Sequence, residues 1–183
     1  THPEYYSTAM WETLKGWQDN GGRFMYLGGN GFYWHVALPT NLPGLVEVRR
    51  AEDGIRTWEA EPGEYYHSAT GELSGLFRRR GDAPNEICGL GFIAQGFDIC
   101  SYYRRMPDAD NPRAAFIFEG VPDEIIGDFG LIGGGAAGLE MDCMNTLLGT
   151  PPHALRLATS ENHTQQVLLV NEEFGVVPIA LGG

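Results

Sequence analysis

The pattern of apolar and polar positions changes character near Leu45. Before it, Met10, Leu14 and Trp17, joined by Trp11, recur at the spacing of one helix face between Ser7 and Asn20, and Gly21-Gly22 supplies a stop. An amphipathic helix is expected there. Phe24-Met25-Tyr26-Leu27 is a short apolar run cut off by Gly28-Gly29-Asn30-Gly31, the pattern of a buried strand ending in a tight turn at the edge of a site. A helix or ordered loop is expected over Phe32–Leu38. Past Leu45 the period becomes two: Leu45–Arg50 and Ile55–Glu59, joined through Ala51-Glu52-Asp53-Gly54, predict a hairpin. Ile87–Phe92, Ala114–Phe118, Leu155–Ala158 and Val167–Val170 are further strand candidates, separated by glycine- and proline-bearing loops such as Pro107–Pro112. A helix, a strand and a sharp turn followed by a long β-rich stretch predict an α/β sheet carrying a β-rich insertion at about residues 42–170, within a single domain spanning 1–183.

Composition narrows the function classes. The 183 residues, 43% of them hydrophobic, suffice for one substantial core. No apolar run approaches the roughly 20 residues of a membrane span, and no basic segment precedes an apolar run at the N-terminus. Neither membrane insertion nor export is expected. A formal charge of -12, scattered along the chain, argues against binding the phosphate backbone of nucleic acids. Cys88, Cys100 and Cys143 form neither a CxxC pair nor a Cys/His cluster, so no zinc site or disulfide framework suggests itself and a reducing, cytoplasmic setting fits. The chain opens on Thr1-His2-Pro3 without an initiator Met and stops on Leu181-Gly182-Gly183 just after an apolar run. It reads as an excised piece, incomplete at both ends, whose sites are expected to lack partners.

Three stretches could carry chemistry. In His2-Pro3-Glu4-Tyr5-Tyr6-Ser7, Pro3 fixes its own φ and restricts the residue before it, so His2 and Glu4 are presented rigidly ahead of the helix. Carboxylate, imidazole and phenolate are all ligands for a hard or borderline cation such as iron or zinc. The bland reading is helix capping, because a carboxylate near a helix N-terminus is favoured by the dipole. In Tyr26-Leu27-Gly28-Gly29-Asn30-Gly31, a residue tops a strand as the nucleophile does in elbow-bearing hydrolases. Asn30 cannot be that nucleophile, but its amide can hold a substrate carbonyl or a developing oxyanion. Asn followed by Gly is also an ordinary turn signal. In Gly133–Asp142, small residues permit close approach of backbone to a ligand or another chain, and Glu140 or Asp142 could serve as a general base. Gly133, Gly135 and Gly138 trace a GxGxxG, but nothing else of a dinucleotide or P-loop signature follows. Gly63–Ser68 with Glu72, and Phe97–Arg105, could each line a pocket but are more often hydrogen-bonded loops, and Arg78-Arg79-Arg80 is most simply a solvated charge run or subunit contact. Cys100 or Cys143 paired with His67, His153 or His163 would make a thiol hydrolase, but no spacing supports a dyad.

Taken together, THPEYYS, GGRFMYLGGNGFYW, GEYYHSATGE, GFIAQGFD and IGDFGLIGGGAAGLEMD resemble the C-terminal domain of the N,N-dimethylformamidase large (beta) subunit and its relatives, over essentially the whole chain. The resemblance implies a fold like the class I glutamine amidotransferases, a flavodoxin-like doubly wound α/β sheet. Where those amidotransferases carry an elbow cysteine, this chain has Asn30. It further implies a mononuclear iron held by two tyrosines and a glutamate, hydrolysing a small N-substituted formamide to an amine and formate. By motif position the glutamate corresponds to Glu4, with His2 and Asn30 as supporting or substrate-orienting groups, Glu140 as general base and Arg50 as a further pocket cation. The two tyrosine ligands would lie upstream of Thr1, so Tyr5 and Tyr6 are not counted as ligands. The remainder of the large subunit, a small subunit and an oligomeric assembly are the partners implied, and the piece alone is expected to be inactive. The competing reading is a non-catalytic relative that binds a small molecule or serves as an assembly surface.

Overall fold

A computed structural model of the chain describes residues 2–49, 65–96, 99–130, 133–163, 166–171 and 175–180, the last two by backbone course alone. Arg50, Glu64 and the second arm of the expected hairpin, Ile55–Glu59, lie outside the described residues. The chain divides into two compact units: residues 1–93, 142–151 and 170–176 form the first, and residues 94–141, 152–169 and 177–183 the second.

In the first unit, a short strand β1 (Tyr5–Tyr6) leads into helix α1 (Thr8–Asp19). The helix starts where expected because the Ser7 hydroxyl accepts the Met10 N–H at 3.3 Å, satisfying one of the free donors of the first turn. Its buried residue is Trp11, 2% exposed, with Leu14 packed beside the same cluster, whereas Met10 and Trp17 are 41% and 48% exposed. The segment Phe24–Leu27 alternates as a strand does, with Phe24 and Tyr26 packed on the core and Met25 and Leu27 exposed, but no strand is assigned there.

Strand β2 (Trp34–Ala37) is buried at every position and occupies the stretch where a helix or loop was expected. A strand covered on both faces carries no period to read. It runs parallel to β1, with Tyr5 opposite Trp34 and Tyr6 opposite His35. It is antiparallel to β3 (Glu47–Val48) and to β4 (Gly75–Leu76). A 3-10 turn (Phe77–Arg80) and the short helix α2 (Pro84–Cys88) follow. Pro84 opens α2 and Gly89, at φ 75°, ends it, so Ile87 belongs to a helix and the strand predicted over Ile87–Phe92 begins only at Gly91. Two apolar clusters make the core: Trp11, Phe32, Phe77 and Ile87, and Tyr33, Trp34, Leu76 and Phe92. Each such side chain, fully buried, contributes about 1.5–3 kcal/mol.

Strand β5 (Gly91–Gln95) carries the chain into the second unit, where β6 (Tyr102–Arg105) pairs antiparallel with β7 (Ile125–Ile126). Ala115–Phe118 is a 3-10 turn rather than the expected strand, because Asn111 C=O gathers the N–H groups of both Ala114 and Ala115. The chain returns to the first unit within β8 (Glu140–Cys143). Strand β9 (Ala158–Glu161), starting where the candidate Leu155–Ala158 stops, completes the sheet β7-β6-β9. The last strands, β10 (Gln166–Asn171) and β11 (Gly175–Ala180), extend a sheet of order β11-β10-β5-β8, and β10 covers the predicted Val167–Val170.

This is not the doubly wound, flavodoxin-like α/β sheet expected from the sequence. Such a sheet needs successive parallel strands joined by crossover helices on both faces. Among the described residues the α-helices are α1, of 12 residues, and α2, of 5. Among the described residues, β1 and β2 pair in parallel and five pairings are antiparallel. The described residues are β-rich and form three small sheets. Among the described residues no helix is long and apolar enough to cross a membrane.

Candidate active site

The His2-Pro3-Glu4 segment is fixed by the strand pairing that follows it. Pro3 C=O accepts the Phe32 N–H at 2.6 Å, and Glu4 C=O accepts from both Tyr33 and Trp34, at 3.0 and 2.8 Å. The Glu4 backbone therefore sits at the head of the β1·β2 pair, and the loop Gly28–Gly31 enters β2 beside it. The Glu4 side chain is 23% exposed, and His2 Nε2 lies 3.9 Å from its Oε2. One carboxylate with one imidazole nearby is a fitting contribution to a shared hard-cation site, but not a closed one. Among the described residues no group of three His, Cys, Asp or Glu side chains converges as a metal cage.

The neighbouring loop is strained and anchored. Asn30 and Phe32 both adopt left-handed backbone, at φ 39° and 53°. For a bulky aromatic such a conformation costs of order 1–3 kcal/mol and persists only where surroundings enforce it. The Phe32 ring, fully buried, is held by Tyr6 at 4.5 Å between centroids, with Trp11, Phe24 and Tyr26 around it. The Asn30 N–H donates to Asp142 Oδ1 at 3.1 Å, the Tyr26 hydroxyl donates to Asp142 Oδ2 at 2.9 Å, and the Gly31 N–H donates to the Tyr26 oxygen at 2.7 Å. Gly31 must be glycine: a Cβ there would lie 2.5 Å from Tyr26 Cε2. Asn30 is 6% exposed, and its Oδ1 is buried with no hydrogen-bond partner among the described residues. An orphaned acceptor of this kind carries a desolvation cost of about 1–3 kcal/mol until a donor reaches it. The sequence suggested that the Asn30 amide holds a substrate carbonyl or an oxyanion; its Oδ1 is the atom seen fully buried without a partner among the described residues.

Of the other sequence candidates, Glu140 opens β8 in the second unit, two residues before Asp142, and is partly exposed. Arg50 is outside the described residues. The Gly133–Gly138 stretch is a packed loop of the second unit: a Cβ on Gly135 would sit 2.1 Å from the Ser101 carbonyl oxygen, and Ala137 N–H donates to that same oxygen at 2.8 Å. What its small residues admit is the chain's own backbone. Burial raises the thiol pKa values of Cys88, to about 12, and of Cys143, so both stay protonated and are poor nucleophiles.

Sequence reasoning missed a buried polar cluster behind the β1–α1 junction. His35, fully buried on β2, donates from Nδ1 to Leu73 C=O at 2.8 Å, since that carbonyl can only accept. Its Nε2 lies 3.0 Å from Thr8 Oγ1. The Thr8 hydroxyl also faces Glu72 Oε1 at 2.5 Å and accepts from Arg80 Nη1 at 2.8 Å. Its single proton is therefore shared between two acceptors, Glu72 and a neutral His35. Burial, and after it the Arg80 guanidinium, lowers the His35 pKa to about 4. His67, 1% exposed, packs its ring at 4.9 Å from that of His35, and burial keeps it neutral too. The arginine run is correspondingly not a solvated stripe: Arg78 donates to Phe92 C=O at 3.2 Å and Arg80 is committed to Thr8. The signals available were a histidine inside the apolar run Trp34-His35-Val36-Ala37 and the stretch Gly63–Ser68 with Glu72, read as a loop.

Residues 1–178 match the family described as N,N-dimethylformamidase beta subunit-like, C-terminal, and the chain belongs to that family. It is 46% identical over 168 residues to the N,N-dimethylformamidase beta subunit of Paracoccus aminophilus, and equally to that of an Alcaligenes species. These alignments cover 90% of this chain and 22% of each relative, so the chain spans about a fifth of their length.

Proposed function

We propose that this chain is the part of an amide hydrolase that supplies one metal-binding carboxylate and the groups around it, for cleavage of small N-substituted formamides to an amine and formate. The observation that carries the reading is the placement of Glu4, held by three backbone hydrogen bonds at the head of β1·β2, where the chain leaves the Asn30 loop, with its carboxylate 3.9 Å from His2 Nε2. The family supports the reaction class, since both relatives bear the name N,N-dimethylformamidase. A Lewis-acidic iron at Glu4 would polarise the formyl carbonyl and acidify a water. The chain's residues would do the rest. Glu4 contributes one oxygen, with two tyrosines expected from elsewhere in the longer protein. His2 orients the Glu4 carboxylate or relays a proton at Nε2. Asn30 holds the substrate, its buried Oδ1 accepting from a donor in the reacting complex. Glu140 is assigned the general base, and Arg50 a substrate contact, on the family resemblance. Assembly with the rest of a large subunit and with a small subunit belongs to the same proposal.

The test is Glu4→Ala in the complete protein, read by iron content and by hydrolysis of a small formamide. Both are expected to fall by more than about 100-fold, as loss of a ligand should cost at least what loss of its supporting groups does. Iron content and rate equal to those of the unaltered protein would remove Glu4 from the site.

A further inference from the structure

Asn30 is flanked by Gly28, Gly29 and Gly31, a sequence that by itself leaves the direction of its amide open. One distant carboxylate removes that freedom. Asp142 accepts the Asn30 N–H with one oxygen and the Tyr26 hydroxyl with the other, while the Tyr26 oxygen accepts the Gly31 N–H. Every direction in this chain is forced. Backbone N–H groups can only donate, so the phenol, having accepted from Gly31, places its own proton on the Asp142 side. Two consecutive N–H groups at the apex of the loop are thus satisfied by a single pair of side chains. On the far side, Phe32 is tied to Pro3 C=O, one residue from Glu4. The loop is therefore clamped at both ends of a backbone that would relax out of the left-handed region if released. Inside that clamp lies Asn30 Oδ1, buried and without a hydrogen-bond partner among the described residues.

We propose that Asp142 and Tyr26 are positioning residues, which lock the Asn30 loop so that Asn30 Oδ1 accepts a hydrogen bond from the water that attacks the bound amide. This rests on the formamide-hydrolase reading above and extends it to two residues that need never touch substrate. Burial, followed by the charge of Asp142, raises the Tyr26 pKa, so the phenol remains a donor throughout the working range. The role requires that state.

The test is a mutational cycle in the complete, assembled protein. Tyr26→Phe removes the acceptor for Gly31 and the donor to Asp142 while keeping the ring that packs on Phe32. It is expected to lower kcat for a small N-substituted formamide by about 10- to 100-fold, with KM and iron content within about twofold of the unaltered protein. Asp142→Asn keeps an acceptor for the Asn30 N–H but offers Tyr26 a donor where it needs an acceptor, and should fall similarly; it serves if the tyrosine variant does not fold. In an Asn30→Ala background, adding either substitution should change kcat by less than about twofold, because the group being positioned is gone. An undiminished kcat in the single variants, or the same loss with and without Asn30, overturns the positioning role. If Asn30→Ala itself leaves hydrolysis intact, the assignment of Asn30 to the site falls first and takes this inference with it.

Discussion

Between pH 6.5 and 4, acid should loosen the first unit most through His35. The ring is fully buried, with Nδ1–H given to Leu73 and Nε2 facing a hydroxyl already contested by Glu72 and supplied by Arg80. Burial and the neighbouring guanidinium hold its pKa at about 4 against 6.5 in the unfolded chain. The unfolded state therefore binds a proton that the folded state refuses between those two values, so stability is complete above pH 6.5 and is lost as pH falls toward 4. By proton linkage the loss reaches about 2 kcal/mol at pH 5 and about 3 kcal/mol below pH 4. That is a large part of the few kcal/mol separating folded from unfolded chains. The measurement is urea unfolding at pH 7, 6 and 5 of the unaltered protein and of His35→Gln, whose amide can still donate to Leu73 C=O. The variant should be less stable at pH 7 yet lose about 2 kcal/mol less on going to pH 5. Taking the difference cancels the other carboxylates and histidines, which titrate in both. Parallel pH profiles would show that His35 is protonated in the folded protein, or shielded from Arg80, and the account of the cluster would be wrong.

Two further substitutions probe the scaffold. Gly31→Ala should destabilise the protein by about 1–3 kcal/mol in chemical denaturation, because the new methyl must displace a Tyr26 ring held on both sides; an unchanged midpoint would mean the ring moves freely. Glu47 accepts from Arg49 Nε at 2.7 Å and from the Ser68 and Ala69 N–H groups at 2.8 Å each. Burial pushes its carboxyl upward, but these donors together bring it down to about 2, so its stabilisation is present above pH 4.5 and disappears as pH falls toward 2. Glu47→Gln should cost about 1–3 kcal/mol at pH 7 and flatten the acid limb of the stability curve, and a variant with an undiminished acid limb would contradict this.

How much of this was written legibly in the sequence depends on the range of the interactions involved. Helix α1 could be read almost to the residue, since its Ser7 cap and Gly21-Gly22 stop are local; which of its residues faces the core could not, and Trp11 rather than Met10 or Trp17 is buried. Strand β2 was missed because Trp34–Ala37 is buried on both faces, and its pairing with β1 joins residues nearly thirty positions apart. Ala115–Phe118 has strand-forming side chains but is turned by Asn111. The doubly wound sheet was an expectation carried by resemblance, and the short helices and antiparallel pairings of the chain do not make one. At the site, Pro3 made His2 and Glu4 conspicuous. Asn30 was visible as a loop apex, but Asp142 stood out only as a carboxylate after glycines. Nothing local ties it to Tyr26, 116 residues earlier.

The Asp142 clamp also has a consequence for how the chain is made. Asn30 and Asp142 are 112 residues apart, so their bond closes a long loop that no local contact can replace. A ribosome adding about 5–20 residues per second delivers Asp142 roughly 6–20 s after Asn30. Once Phe92 has been added, α1, β2 and the aromatic core have all the residues they need, while the Asn30 N–H and the Tyr26 hydroxyl have only water where Asp142 will stand. The loop must therefore be captured by a scaffold already waiting for it, and a chain that stalls before β8 would carry a packed core beside an unlocked site.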